Sequence, residues 1–223
     1  MLKTLTCLAI LGVAFTETKA QTIDTSYANS YYVRRLAYFR KMPDQKKEIV
    51  FLGNSLTEAG EWQELFPDKH VVNRGISGDV TFGIYARLDE VVSSKPEKIF
   101  LLSGVNDIKR GIPTDVIAAS FQRILNYIKE KSPSTKIYLE STFPVNEGML
   151  NASYSKVKNS LVIELNSRLK TIAAQSNVTF IDLHPLLSDE NGQLKKDYTT
   201  DGIHIWPDTY IIWANYLKEK KYL

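Results

Sequence analysis

Five short apolar runs, at residues 49–52, 70–73, 98–103, 136–140 and 178–183, each lead into a turn bearing Gly, Ser or Pro. Their residues are rich in β-branched and aromatic types and nearly continuous rather than alternating, the pattern of strands buried on both faces. Between them lie stretches of helical period. Ile117, Phe121, Ile124, Leu125 and Ile128 recur at three- and four-residue steps, as do Val157, Leu161, Leu165, Leu169 and Ile172, and then Ile211, Ile212, Asn215, Tyr216 and Leu217. Strand alternating with helix predicts an α/β fold, an open parallel sheet covered on both sides. An additional helix is expected over residues 27–42, with Tyr31, Leu36 and Phe39 among its buried residues. Pro113-Thr114-Asp115 marks the start of a helix that Ser132-Pro133 stops, and Ser153 and Ser155 are candidate caps for the next.

The first twenty residues read as a segment apart. Lys3 gives a positive start, residues 5–15 are largely apolar, and Thr18-Lys19-Ala20 places small residues where a leader is cut. This is the pattern of a secretory signal peptide over residues 1–20, and it predicts a secreted or periplasmic protein. The apolar run is shorter than the roughly 20 residues a membrane span needs, so no stable membrane insertion is expected. The remaining residues, 21–223, suit one domain. Cys7, the sole cysteine, falls in the leader, which leaves no thiolate for a disulfide, a metal site or a nucleophile. With 28 Lys and Arg against 25 Asp and Glu, and no long run of like charge, nothing resembles a nucleic-acid footprint.

In open parallel sheets, ligands bind beyond the carboxyl ends of the strands. Ser55, the segment from Gly75 to Gly78, the segment from Gly104 to Asp107, Phe143-Pro144-Val145 and the segment from Asp201 to His204 all fall there. A serine hydroxyl needs a base to take its proton as it attacks a carbonyl. His204 is the best placed of the three histidines, and Asp201, three positions earlier, can hold its other ring nitrogen. The oxyanion that forms on attack needs preorganised donors. The backbone N–H of Ser55, the backbone N–H of Gly78 and the side-chain amide of Asn106 are available for an oxyanion hole.

These segments carry a resemblance. Gly53-Asn54-Ser55-Leu56-Thr57, Asn73-Arg74-Gly75-Ile76-Ser77-Gly78-Asp79, Gly104-Val105-Asn106-Asp107 and Asp201-Gly202-Ile203-His204 resemble, in order, the four sequence blocks of the SGNH hydrolases, or GDSL esterases and lipases. The resemblance implies a flavodoxin-like three-layer α/β/α sandwich with a five-stranded parallel sheet. It implies Ser55 as nucleophile, Asp201 and His204 as the rest of a triad, Gly78 and Asn106 as oxyanion donors, and neither cofactor nor metal. One position departs from the family pattern: Asn54 stands where an aspartate usually precedes the nucleophile.

Other residues near these blocks have plainer readings. Asp79 is expected to cap the helix starting near Val80 or to interact with the Ser55 loop, and Glu58, Asp79 and Trp206 are candidates for substrate contact. Trp62 and Trp213 read as core, and His70, Asp182 and His184 as structural. The tyrosines at 27, 31 and 32 read as a docked helix that could also mediate a homodimer.

Two function classes follow. The first is an exported serine esterase acting on short acyl groups. Similarity to short family members suggests O-acetyl groups on carbohydrate, sialic acid or polysaccharide, with a lysophospholipase or thioesterase as the variant within the class. The second is a non-catalytic carbohydrate-binding protein of the same fold.

Overall fold

The computed structural model describes residues 26–45 and 47–223. The leader read over residues 1–20 lies outside the described residues. Strands β1 (Ile49–Gly53), β2 (Val71–Gly75), β3 (Lys98–Leu102), β4 (Lys136–Glu140) and β5 (Thr179–Ile181) form one sheet. Their order is β2-β1-β3-β4-β5 and every pairing is parallel. The α-helices are α1 (Ser30–Phe39), α2 (Ser55–Glu58), α3 (Trp62–Leu65), α4 (Thr81–Ala86), α5 (Leu88–Ser93), α6 (Val105–Lys109), α7 (Thr114–Lys131), α8 (Asn159–Gln175), α9 (His184–Leu187) and α10 (Pro207–Glu219). This is the three-layer α/β/α sandwich expected from the sequence.

Alternate residues of each strand feed two cores. Val50, Leu52, Ile99, Leu101 and Leu139 belong to one with Ile84, Leu88, Phe121, Leu125 and Leu165 of the helices. Ile49, Phe51, Phe100 and Leu102 belong to the other with Trp62, Trp213 and Leu217. Both sets are buried, which is why the strands show apolar runs instead of alternation. Full burial of one such side chain contributes about 1.5–3 kcal/mol. Phe51 stacks on Trp62 with centroids 3.9 Å apart and planes 6° from parallel. That contact locks the segment after the first strand onto the sheet.

The strand order reverses at β1, which has β2 on one side and β3 on the other. Such a reversal opens a crevice beyond the strand ends. Register brings Gly53, Gly75 and Leu102, the last residues of the three strands, level with one another. Everything that follows them therefore begins on one rim.

Three local expectations are corrected. Helix α1 spans only Ser30–Phe39, because Asn29 caps it by accepting from the Tyr32 N–H at 2.9 Å. Its buried side chains are Tyr32 and Phe39, while Tyr31 and Leu36 are half-buried. Ser153 and Ser155 do not cap α8. They belong to a separate turn organised by Asn151, whose Oδ1 accepts from Ser153, and α8 starts four residues later. Helix α10 buries Tyr210, Trp213, Ala214 and Leu217, whereas Ile211 is exposed. Its inward aromatics find hydrogen-bond partners, Tyr210 on Leu56 O and Trp213 on Glu140, so their polar tips cost little to bury. Among the described residues no helix is long and apolar enough to cross a membrane.

Candidate active site

Ser55 is the first residue of α2, directly beyond β1. Asn54 caps that short helix, its Oδ1 accepting from the Leu56 N–H at 3.0 Å. The helix is pinned from several directions: Trp62 Nε1 donates to Thr57 O at 2.8 Å and Tyr210 Oη to Leu56 O at 2.9 Å. Asn73 of β2 donates to Thr57 O, Glu58 O and Gly60 O. The half-buried hydroxyl of Ser55 is thus presented from a fixed turn.

His204 approaches from beyond β5. Its Nε2 lies 3.1 Å from Ser55 Oγ, and its Nδ1 lies 2.7 Å from Asp201 Oδ2. Oδ1 of Asp201 accepts from the N–H groups of Ile203 and His204, at 3.0 and 2.8 Å. Partial burial works against the Asp201 carboxylate, but these hydrogen bonds and the imidazole outweigh it and hold its pKa below the ordinary value. The loop holding the pair is fixed by backbone. Asn146 donates its N–H to Gly202 O at 2.9 Å and its Nδ2 to Leu194 O. Gly202 has φ +93°, and a Cβ there would meet Asn146 O at 2.7 Å, so conformation and space both require glycine.

Beyond β2 and β3 lie the expected oxyanion donors. Gly78 is exposed with φ +79°, and among the described residues no protein acceptor takes its N–H or that of Ser55. Asn106 Nδ2 donates one proton to Asp79 O at 2.9 Å, which orients the amide and leaves a second proton free. The next residue, Asp107, accepts from Thr81 N at 3.1 Å and Thr81 Oγ1 at 2.6 Å, anchoring the start of α4. Asn106 and Asp107 together clasp the Gly78 loop from the β3 side.

Two expected substrate contacts are corrected. Asp79 is 1 % exposed, and its carboxylate pairs with Arg87 Nε at 3.0 Å, so it faces protein instead of a ligand. Nor is it the residue that caps α4, a place taken by Val80. The link to the Ser55 loop is indirect: Arg87 Nη2 donates to Gly53 O at 3.1 Å. Burial pushes Asp79 up to about 6 against the pull of Arg87. Glu58 is likewise engaged. Its Oε1 accepts from Tyr31 Oη at 2.6 Å and pairs with Arg35 Nε at 2.9 Å, while Oε2 accepts from the Ser77 N–H at 2.7 Å and from the Ser77 hydroxyl. It joins α1, α2 and the Gly78 loop. Trp206 stands half exposed at the head of α10.

Sequence reasoning gave Arg87, Asp107 and Asn146 no role. The sole signal for Arg87 was a lone basic residue amid the apolar positions around Ile84 and Leu88. Among the described residues no group of three His, Cys, Asp or Glu gathers to hold a metal ion.

A hydroxyl, an imidazole and a carboxylate in series can attack a carbonyl, and the N–H groups of Ser55 and Gly78 with the second proton of Asn106 are donors available to its oxyanion. The model of the GDSL-like lipase/acylhydrolase family matches residues 51–210. An N-acylneuraminate cytidylyltransferase of Escherichia coli is 30% identical over 185 residues, 79% of this chain, and the match takes up 41% of that protein's length. Human platelet-activating factor acetylhydrolase IB subunit alpha1 is 24% identical over 73% of this chain and 70% of its own. A solved structure from Streptococcus pneumonia, named for platelet activating factor, superposes with a TM-score of 0.79 at 31% identity, over 85% of this chain and 92% of that one. The segment matched by the family model begins inside β1, ends in α10 and contains every residue of the Ser55, Gly78, Asn106 and His204 cluster, so the chain is a carboxylic-ester hydrolase belonging to the GDSL-like lipase/acylhydrolase family.

Proposed function

We propose that this protein is an exported serine esterase that removes short acyl groups, acetyl foremost, from carbohydrate through an acyl-enzyme on Ser55. The observation that carries the reading is the continuous relay from Ser55 Oγ through His204 to Asp201, with contacts of 3.1 and 2.7 Å. Ser55 Oγ attacks the ester carbonyl while His204 Nε2 takes its proton. The N–H groups of Ser55 and Gly78 and the free proton of Asn106 receive the oxyanion. Collapse of the tetrahedral intermediate breaks the carbon–oxygen bond, and His204 returns the proton to the departing alcohol. Water, deprotonated by the same imidazole, then attacks the acyl-enzyme; the acyl carbon–Ser55 Oγ bond breaks, His204 returns the proton to Oγ, and the acid is released. Asp201, kept ionised by its hydrogen bonds, stabilises the imidazolium in both halves.

An acetyl preference is supported by the relatives named as acetylhydrolases. A sugar ester is supported by the relative named for N-acylneuraminate, of which this chain matches under half. Export rests on the leader-like composition of residues 1–20, and N-terminal sequencing of the mature protein tests it. The activity is tested with p-nitrophenyl acetate, butyrate and longer esters, and with a fluorophosphonate label. Acetate should turn over fastest. Ser55→Ala should abolish both turnover and labelling while leaving the melting temperature nearly unchanged. Hydrolysis retained in that variant would remove Ser55 as the nucleophile, and a preference for long chains would favour the lysophospholipase reading.

A further inference from the structure

We infer that Trp206 is a stacking platform for the alcohol half of the substrate, shaped for the flat face of a pyranose ring; the inference rests on the esterase reading above. Residues 198–200 and 204–206 form a short antiparallel ladder. Thr199 and Ile205 are bridged, Thr200 N donates to His204 O at 2.8 Å, and Trp206 N donates to Tyr198 O at 3.1 Å. Side chains on such a ladder alternate between its faces. Thr199 and Ile205 are buried, at 2 % and 6 % exposure, and so define the inner face. The residues flanking Ile205, His204 and Trp206, therefore share the outer one. Two residues along a strand span roughly 6.5–7 Å, so the two side chains leave the backbone at neighbouring positions of that face.

The position decides which part of the substrate it meets. The acyl carbon must sit at Ser55 Oγ, and His204 is the group that hands a proton to the departing oxygen. Whatever extends past the imidazole along this face is therefore the alcohol, not the acyl chain. Trp206 is 50 % exposed, so a large flat apolar surface faces solvent there. Its backbone is nonetheless held firmly. The N–H is bonded to Tyr198 O, the carbonyl accepts from Thr209 N at 2.9 Å, and Thr209 Oγ1 donates to Tyr198 O at 3.0 Å. Pro207, which follows, fixes the entry into α10. A rigidly mounted, uncovered indole suits a ring that presents C–H groups on one side and hydroxyls at its edge.

The test compares two acetate esters that share the acyl group and differ in the alcohol, ethyl acetate and an O-acetylated methyl glucopyranoside. Trp206→Ala should raise KM for the sugar ester about three- to tenfold with kcat nearly unchanged, the range expected for one aromatic contact. Ethyl acetate should be unaffected, and Trp206→Phe should keep most of the sugar affinity. Parallel changes on both esters, or none on either, would overturn the platform while leaving the esterase intact. An unmodified protein that cleaves ethyl acetate but not the sugar ester would instead overturn the carbohydrate reading, and the platform with it.

Discussion

Two acid–base pairs of similar contact distance flank this site in opposite settings. Asp79 and Arg87 meet at 3.0 Å with both side chains wholly buried. Asp201 and His204 meet at 2.7 Å with side chains 40 % and 37 % exposed. The first pair ties the chain just before Ser55 to the loop after Gly78, through Gly53 O on one side and the Asp79 carbonyl with Asn106 on the other. It is closed off from the surface and has a permanently charged partner. The second lies where a proton can come and go. The contrast separates a buried joint that braces two loops from an exposed pair whose proposed work is to change state twice per turnover.

The largest effect expected from breaking this contrast is on rate. Asp201→Asn should lower kcat about ten-thousandfold, because the amide favours the wrong imidazole tautomer, while the melting temperature stays close to that of the unmodified protein. Steady-state kinetics beside thermal denaturation checks both halves, and a near-normal kcat would strip the exposed pair of catalytic weight. Breaking the buried pair should act on stability. Arg87→Met leaves Asp79 buried without its cation and should cost about 3–5 kcal/mol, measured by urea denaturation. Pairing that change with Asp79→Leu should recover part of the loss. A single variant as stable as the parent would mean that the buried pair does not brace the loop.

Glu140 sharpens the comparison with the smallest effect. It is a buried carboxyl with no cation, accepting from Trp213 Nε1 at 2.8 Å, and burial pushes it from the ordinary 4.5 up to about 8. Its folded-state pKa is the higher one, so its stabilising contribution is complete below the ordinary value. That contribution drains away as pH rises toward about 8. Glu140→Gln keeps the acceptor and removes the titration. The melting temperature of the parent should therefore decline between about pH 5 and about pH 8 more steeply than that of the variant. Identical slopes would show that Glu140 does not titrate in this window.

The strands and the Asp201–His204 pair were legible because each is encoded locally. Continuous apolar runs mark doubly covered strands, and Asp201 and His204 share one loop. What was hidden is polar and distant. Nothing around Asp79 announces Arg87, because the pair forms only when α4 folds back over the rim. Glu58 looked like a substrate contact beside Ser55, yet its partners come from α1 and from Ser77. In α10 Trp213 read correctly as core, but the conspicuous isoleucines misled: Ile211 is exposed, and Tyr210 takes the inward phase with its hydroxyl on Leu56 O.

The bond between Ser55 and His204 spans 149 positions of sequence, from the end of β1 to a hairpin past the edge strand β5. No fragment, and no intermediate lacking its last segment, can own the relay. Ester turnover is thus a gauge of complete folding: a chain whose segment past β5 had not docked would be chemically silent.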